Sequence, residues 1–214
     1  MPSTEPPMMR VLLPGIIAMA VIVVASNILV QVLYGNWLTY GAFTYPFAFL
    51  VTDVMNRVYG VAAARRVVLA GFVVGLVCSF IGTQIIGELG PLVTLRVAIG
   101  SGSAFLVAQL IDVLVFDKMR GGTWWRAPLT SSLVGSSVDT LIFFSIAFSG
   151  WFIWLEPGND VSWANEALPL LGLGPVAPLW VSLALADYSV KLAIATIALV
   201  PFRLVVSRLV TRLS

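Results

Sequence analysis

Histidine is absent from this chain of 214 residues, cysteine occurs once, and only 10% of the residues are charged. Without histidine the chain can build neither a Ser-His dyad nor a histidine metal site. Its one cysteine, Cys78, can form no intrachain disulfide. No Gly-x-x-x-x-Gly-Lys-Ser/Thr loop for nucleotide phosphates is present either. We therefore expect no enzyme, no metal and no cofactor.

Apolar residues are abundant instead, at 59% of the chain against about 45 to 50% in a soluble domain. An integral membrane protein is the expected class, and we predict one all-α, polytopic helical bundle over residues 1–214. The first apolar run has no small-residue cleavage site, so it is expected to be a retained span rather than a removable signal peptide. Six runs are long enough to cross a bilayer. They are 11–33, 40–59, 66–87, 92–116, 127–149 and 176–202.

The cations predict how these spans are oriented. Ten of the twelve lie near the two ends of the chain or in alternate connections, whereas the other connections carry Glu88, Glu156, Asp160 and Glu166. The positive-inside rule then places both termini in the cytoplasm, which agrees with an even number of spans. The tryptophan-rich connection 150–175 falls outside, where an interfacial anchor is favoured over a lid.

The second span is interrupted by Pro46. Proline removes a backbone donor and disfavours helix at the preceding residue, Tyr45, so a break is predicted there. A regular helix from Pro46 to Gly60 would be about 21 Å long, which is too short for the bilayer core. We expect Gly41 to Tyr45 to be non-helical backbone inside the protein. Broken helices of this kind build transporter sites, and a plain proline kink is the alternative.

Four aspartates lie inside the apolar runs, where each costs about 2.5 to 3.5 kcal/mol and marks a functional site. Asp139 and Asp187 are predicted near the midplane, and Asp53 and Asp112 nearer the cytoplasm. Local pairs are the alternative, since Arg57 follows Asp53 by four residues and Lys191 follows Asp187 likewise. Asp139 has no cation within one turn, so its alternative partner is Lys191 or Arg96.

Polar residues at helical spacing extend these clusters. Asn27 and Gln31 share one face of the first span, with ordinary interhelical hydrogen bonding as the alternative, and Gln109 shares a face with Asp112. Ser132, Ser136 and Asp139 form a stripe in the fifth span, where close small-residue packing is the alternative for the serines. Arg96 is either a gate residue or a cation that reaches the outer interface.

Several motifs together resemble the queuosine precursor transporters, a family of six-span bacterial inner-membrane proteins. The resemblance covers nearly the whole chain. It is carried by Tyr40-Gly-Ala-Phe-Thr-Tyr-Pro-Phe-Ala-Phe-Leu-Val-Thr-Asp53, Arg57-Val-Tyr-Gly60, Ala64-Arg65-Arg66, Ser26-Asn27 with Gln31, Arg96-Val-Ala, Gln109-Leu-Ile-Asp112-Val-Leu-Val-Phe116, Trp124-Trp125-Arg126-Ala-Pro128, Ser137-Val-Asp139-Thr140 and Asp187-Tyr188 with Lys191.

This resemblance implies import of 7-cyano-7-deazaguanine, or its aminomethyl relative, for salvage into tRNA. A carboxylate can accept the two adjacent N–H groups of the guanine edge, an amide can donate to its carbonyl, and aromatic rings can stack on the base. The expected substrate-binding residues are Asn27, Gln31, Phe43, Tyr45, Asp53, Gln109, Asp139, Asp187 and Lys191. The expected gate or ion-pair residues are Arg57, Arg96 and Asp112.

One alternative function is the substrate-binding subunit of an energy-coupling vitamin or nucleobase transporter, which would need an ATPase from other chains. The expected partners are a deazapurine base and the lipid bilayer, with no nucleic acid, and the small-residue seams permit a homodimer. Proton coupling and facilitated diffusion followed by trapping are equally consistent with the sequence.

Overall fold

The computed structural model describes residues 8–88 and 90–213, and helices dominate them. Five helices, α1, α4, α5, α6 and α7, are long and apolar enough to cross a membrane. Residues 1–7, which carry part of the orientation prediction, lie outside the described residues. The helices are α1 Met8–Leu29, α2 Gly41–Thr44, α3 Phe47–Tyr59, α4 Val61–Gln84, α5 Leu95–Met119, α6 Arg126–Phe148, α7 Leu179–Ile197 and α8 Leu199–Leu213.

Three short antiparallel ribbons lie in the connections between helices. They pair β1 Leu33–Tyr34 with β2 Leu38–Thr39, β3 Ile86–Gly87 with β4 Gly90–Pro91, and β5 Ala167–Pro169 with β6 Val176–Pro178. In register, Leu33 faces Thr39, Ile86 faces Pro91 and Ala167 faces Pro178. Short 3₁₀ segments occupy Gly150–Leu155, Ser162–Asn165 and Leu170–Gly172. Side chains link the ribbons, since Gln31 donates to the Leu92 carbonyl and the Arg96 amide to Glu156. We call this end of the bundle the hairpin end.

The remaining connections meet at the opposite end, which we call the α8 end. There Arg57 donates to the carbonyl of Arg120 at 3.0 Å, and the guanidinium of Arg203 lies 4.9 Å from the centre of the Trp124 ring. The segment formed by α2 and α3 therefore leads from the hairpin end to the α8 end. Neither helix is long enough to span alone, so the six-span count and the orientation remain predictions.

The predicted break in the second span is present. α2 ends at Thr44, α3 begins at Phe47, and Pro46 lies between them. The prediction of non-helical backbone from Gly41 to Tyr45 is wrong, because Tyr45 has helical dihedrals (φ −56°, ψ −40°) and its amide donates to the Gly41 carbonyl at 3.0 Å. That hydrogen bond holds Tyr45 helical despite the proline that follows it.

Two other predicted boundaries also differ from the structure. The run 66–87 belongs to a helix that begins at Val61, because Gly60, with φ +87°, ends α3 and lets the chain turn at once into α4. Hydropathy missed this start, since exposed Arg65 and Arg66 lie in the early turns of the helix. The run 176–202 is divided by a turn at Ala198 into α7 and the beginning of α8.

The tightest packing joins α5 to α6, where small residues let the backbones approach closely. A Cβ added at Gly135 would lie 2.7 Å from the Phe49 ring and 3.4 Å from the Ala108 carbonyl oxygen, so only glycine fits there. Beside this seam, an apolar core formed by α1, α3, α4 and α5 includes the buried side chains of Met19, Val67 and Phe105. These two packed regions hold the polar side chains of the site in place.

Candidate functional site

A cavity of about 410 Å³ opens among α1, α2, α6 and α7 and the connections of the hairpin end. This volume is in the range of small-molecule sites, which are mostly apolar with a few placed polar groups. The cavity follows that pattern, with aromatic residues on its walls and charged residues from α6 and α7. Its aromatic lining is Trp37, Tyr45, Phe143, Phe144, Phe148 and Trp163.

Lys191 on α7 is the centre of the charged group. Its Nζ lies 2.6 Å from Oδ2 of Asp139, 2.5 Å from Oδ2 of Asp187 and 3.1 Å from the Thr140 hydroxyl. An ammonium group has three N–H donors, so these three oxygens occupy it fully. The two carboxylates outnumber the single cation, and the group carries one excess negative charge when all three are ionised.

Tyr45 completes this charged network from the break before Pro46. Its hydroxyl donates to Oδ1 of Asp139 at 2.8 Å, and the centre of its ring lies 5.6 Å from Nζ of Lys191. Edge-to-face contacts with Phe49 and Phe105 fix the ring. Both oxygens of Asp139 are therefore engaged, one by Tyr45 and the other by Lys191.

Asp187 is the more available of the two acids. Its Oδ2 accepts from Thr140 at 3.3 Å and pairs with Lys191, but within the described residues its Oδ1 has no hydrogen-bond partner. Its side chain is 15% exposed, against 5% for Asp139. The cavity therefore presents one uncommitted carboxylate oxygen to a ligand, and it belongs to Asp187.

Amides from α1 line another part of the cavity. Asn27 donates one N–H to the Val23 carbonyl at 2.9 Å, which leaves its second N–H and its carbonyl oxygen for a ligand. Gln31 donates to the Leu92 carbonyl at 3.3 Å. A hydroxyl pair, Ser26 and Thr44 at 2.9 Å, joins α1 to α2 beside them. The interhelical alternative, weighed for Asn27 and Gln31, does not describe Asn27, whose bond lies within α1. It describes Gln31 only in part, because Gln31 also lines the cavity.

Three of the nine predicted binding residues do not line this cavity. The Phe43 ring packs edge-to-face on Tyr34, and the buried Gln109 accepts a hydrogen bond from Thr52 at 2.6 Å. Asp53 lies beyond the break, where it accepts from Ser131 at 3.0 Å and from Ser132 at 3.4 Å. The cavity brings together the other six, which are Asn27, Gln31, Tyr45, Asp139, Asp187 and Lys191.

The gate or ion-pair residues have other partners than the spacing suggested. Arg57 forms no salt bridge with Asp53 among the described residues, although it lies within electrostatic range of that acid. Its guanidinium donates to the Arg120 carbonyl and lies over the Phe116 ring at 5.2 Å. Asp112 is fully buried within electrostatic range of Asp53, and neither of its oxygens has a hydrogen-bond partner among those residues.

Among the described residues Arg96 forms no salt bridge, and its side chain is buried rather than at the interface. It donates to the carbonyls of Ile146 at 3.1 Å and Ser149 at 2.5 Å. These carbonyls belong to the C-terminal end of α6, where a cation is favourable. The alternative that Arg96 reaches the outer interface is therefore wrong, whereas its role as a gate residue stays a prediction.

Sequence reasoning missed Thr140 and most of the aromatic lining. Phe143 was within its reach, because it follows Asp139 by four residues and extends the stripe of Ser132, Ser136 and Asp139 along one helix face. Trp37 and Trp163 come from connections, where helical spacing carries no information. Trp151 and Trp154 are exposed, as an interfacial anchor requires, whereas Trp163 lines the cavity.

Comparison with known proteins agrees with an apolar helical bundle. The family described as "Putative vitamin uptake transporter" matches residues 39–206. The chain belongs to this family. It is accordingly a transporter in a multi-pass membrane fold and not an enzyme, as predicted. No solved structure matches it.

Curated relatives of this member of the vitamin uptake transporter family carry a more specific name. The "Queuosine precursor transporter" of Escherichia coli (strain K12) is 33% identical over 194 residues, which are 84% of this chain and 79% of the relative. The "Probable queuosine precursor transporter" of Haemophilus influenzae (strain ATCC 51907 / DSM 11121 / KW20 / Rd) is 34% identical over 185 residues, 81% of this chain and 70% of the relative. The Bacillus subtilis (strain 168) protein of that same name is 32% identical over 145 residues, 58% of this chain and 63% of the relative.

These names confirm the family resemblance found in the sequence motifs. They do not favour the alternative of a subunit that depends on an external ATPase.

Proposed function

We propose that the chain imports a 7-deazaguanine precursor of queuosine across the bacterial inner membrane, for salvage into tRNA. The relatives' names supply the substrate class, and the uncommitted Oδ1 of Asp187 in the cavity is the observation that carries the proposal. A guanine edge offers two adjacent N–H donors, and the free oxygen of Asp187 can accept from them while Oδ2 stays paired with Lys191.

The rest of the lining suits the same ligand. The free amide atoms of Asn27 can pair with the ring carbonyl, and Phe143, Phe148 and Trp163 offer faces for stacking. A neutral base also suits the excess negative charge of Asp139, Asp187 and Lys191. Its N–H groups can donate hydrogen bonds to that charge, so no second cation is needed. In this proposal Asp187 accepts hydrogen bonds from the base, and Asn27 donates to its carbonyl. Asp139 holds Lys191 and Tyr45 in position.

The test is binding of 7-cyano-7-deazaguanine, 7-aminomethyl-7-deazaguanine, guanine and queuine by purified protein. We expect micromolar or tighter binding of at least one deazaguanine, and a loss of about 10- to 100-fold in Asp187→Asn, the effect of one charge-assisted hydrogen bond of about 1.5 to 3 kcal/mol. Ser189→Ala, an exposed position on the same helix, is the matched control and should bind normally. Normal binding by Asp187→Asn would remove that residue from the site.

A further inference from the structure

A second pair of acids lies on the α8 side of the cavity. Asp53 on α3 and Asp112 on α5 are 2% and 0% exposed and lie within electrostatic range of each other. The hydroxyls of Ser131 and Ser132 donate to Asp53, but neither oxygen of Asp112 has a partner in the described part of the chain. We call Asp53 and Asp112 the inner carboxyl pair.

No cation of the described residues forms a salt bridge with the inner carboxyl pair. The cations on the helices around the pair are engaged with other groups or exposed. Residues 11–29 of α1 hold no charge, and Arg65 and Arg66 of α4 are exposed. Arg57 of α3 donates to the Arg120 carbonyl, and Lys191 of α7 pairs with Asp139 and Asp187. Arg126 of α6 lies over the Trp125 ring, and Arg203 of α8 lies over the Trp124 ring. Arg57 lies within electrostatic range of Asp53 but makes no salt bridge with it. Two adjacent buried carboxylates without a salt-bridged cation repel each other, and such pairs share a proton.

A small crevice connects the inner carboxyl pair to the charged network. Its volume is about 10 Å³, and its polar lining is Asp53, Ser132, Ser136 and Lys191. A polar space of this volume is about the minimum that holds one water molecule. Lys191 lines both this crevice and the large cavity, so it lies between the two polar regions.

We propose that the inner carboxyl pair is the proton-binding site of a proton-coupled importer, with Lys191 as the link to the substrate cavity. This inference rests on the proposed function. In the structure the ammonium group of Lys191 holds Oδ2 of Asp187, which leaves Oδ1 for the substrate. Ionisation of the inner carboxyl pair would draw that ammonium group across the crevice toward Asp53, so a protonated pair and a bound substrate favour each other. One proton is taken up from the outer side with the substrate and leaves to the cytoplasm after it, and Lys191 stays protonated throughout.

The test uses the full chain in proteoliposomes with a labelled deazaguanine. We expect an inward proton gradient to drive accumulation above equilibrium, and substrate addition to acidify the lumen as reported by an internal pH dye. Asp112→Asn should bind substrate within twofold of the unmodified chain and still exchange it, but lose the response to the proton gradient. Asp160→Asn, an acid-to-amide change at an exposed loop position, should keep that response.

Three results would overturn the inference. They are uptake by the unmodified chain that ignores the proton gradient and leaves the lumen pH unchanged, accumulation driven by a sodium gradient alone, and an Asp112→Asn variant that responds like the unmodified chain. The dye measurement on the unmodified chain decides even where the variant does not fold. Failure of the unmodified chain to bind any deazaguanine would instead refute the proposed function, and this inference with it.

Discussion

The charged network and the inner carboxyl pair each contain two intramembrane aspartates, yet their surroundings differ. In the charged network, Asp139 and Asp187 share Lys191, and Tyr45 and Thr140 supply further donors. In the inner carboxyl pair, Asp53 receives only serine hydroxyls, and Asp112 has no partner among the described residues. The difference lies in the number of donors aimed at each carboxylate.

This difference separates two roles that look identical in sequence. A buried carboxylate that is paired and hydrogen-bonded stays ionised and holds its partners in fixed geometry, whereas one without a cation favours the protonated form. The charged network is thus suited to bind a ligand with N–H donors. The inner carboxyl pair is suited to gain and lose a proton.

Removal of the Lys191 cation should have the largest effect on the difference between the charged network and the inner carboxyl pair. We expect Lys191→Met to abolish uptake and to lower the free energy of unfolding by about 3 to 5 kcal/mol, because it leaves Asp139 and Asp187 as uncompensated buried charges. Denaturant unfolding in detergent, followed by tryptophan fluorescence, measures the loss. Lys118→Met, at an exposed position on α5, is the matched control. Equal stability of the two variants would show that Lys191 does not neutralise these acids.

A direct comparison makes the same acid-to-amide change in both regions. Asp139→Asn should lower the free energy of unfolding by about 2 to 3 kcal/mol, because Asp139 accepts from both Tyr45 and Lys191. Asp112→Asn should change it by less than about 1 kcal/mol, because the asparagine amide can donate to Asp53 in place of the shared proton. The same unfolding assay measures both. Losses of equal size would mean that the two regions are held by similar interactions.

The smallest expected effect isolates one donor of the charged network. Tyr45→Phe removes only the hydroxyl bonded to Asp139 and should lower the free energy of unfolding by about 1 to 2 kcal/mol. Tyr34→Phe alters a half-exposed ring at the hairpin end and should have almost no effect. If the two variants lose the same amount, the hydroxyl of Tyr45 contributes nothing specific to the network.

The sequence predicted those features that depend on a single helix. The break at Pro46 followed from the missing amide of proline, and the pairing of Asp187 with Lys191 was one of the two alternatives that their spacing of four residues left open. The partner of Asp139 was anticipated among two cations but not chosen. Spacing says which face of one helix a residue occupies, and it does not say what packs against that face.

Residues missed by the prediction show this limit. Asp53 was grouped with the cavity because it follows the break, yet α3 turns it toward the serines of α6. Arg96 was judged by its depth in the membrane, whereas its partners are carbonyls at the end of another helix. Both outcomes depend on contacts between segments 50 or more residues apart, which a single sequence does not reveal.

Arg96 has a mechanical consequence for the whole bundle. Its guanidinium binds the end of α6, and its amide binds Glu156 in the following connection. One residue on α5 thereby fastens three stretches of chain at the hairpin end, while the close seam at Gly135 joins the same two helices further along. The aromatic residues that α6 contributes to the cavity, Phe143, Phe144 and Phe148, are therefore held in place by α5. We expect α6 to move only together with α5.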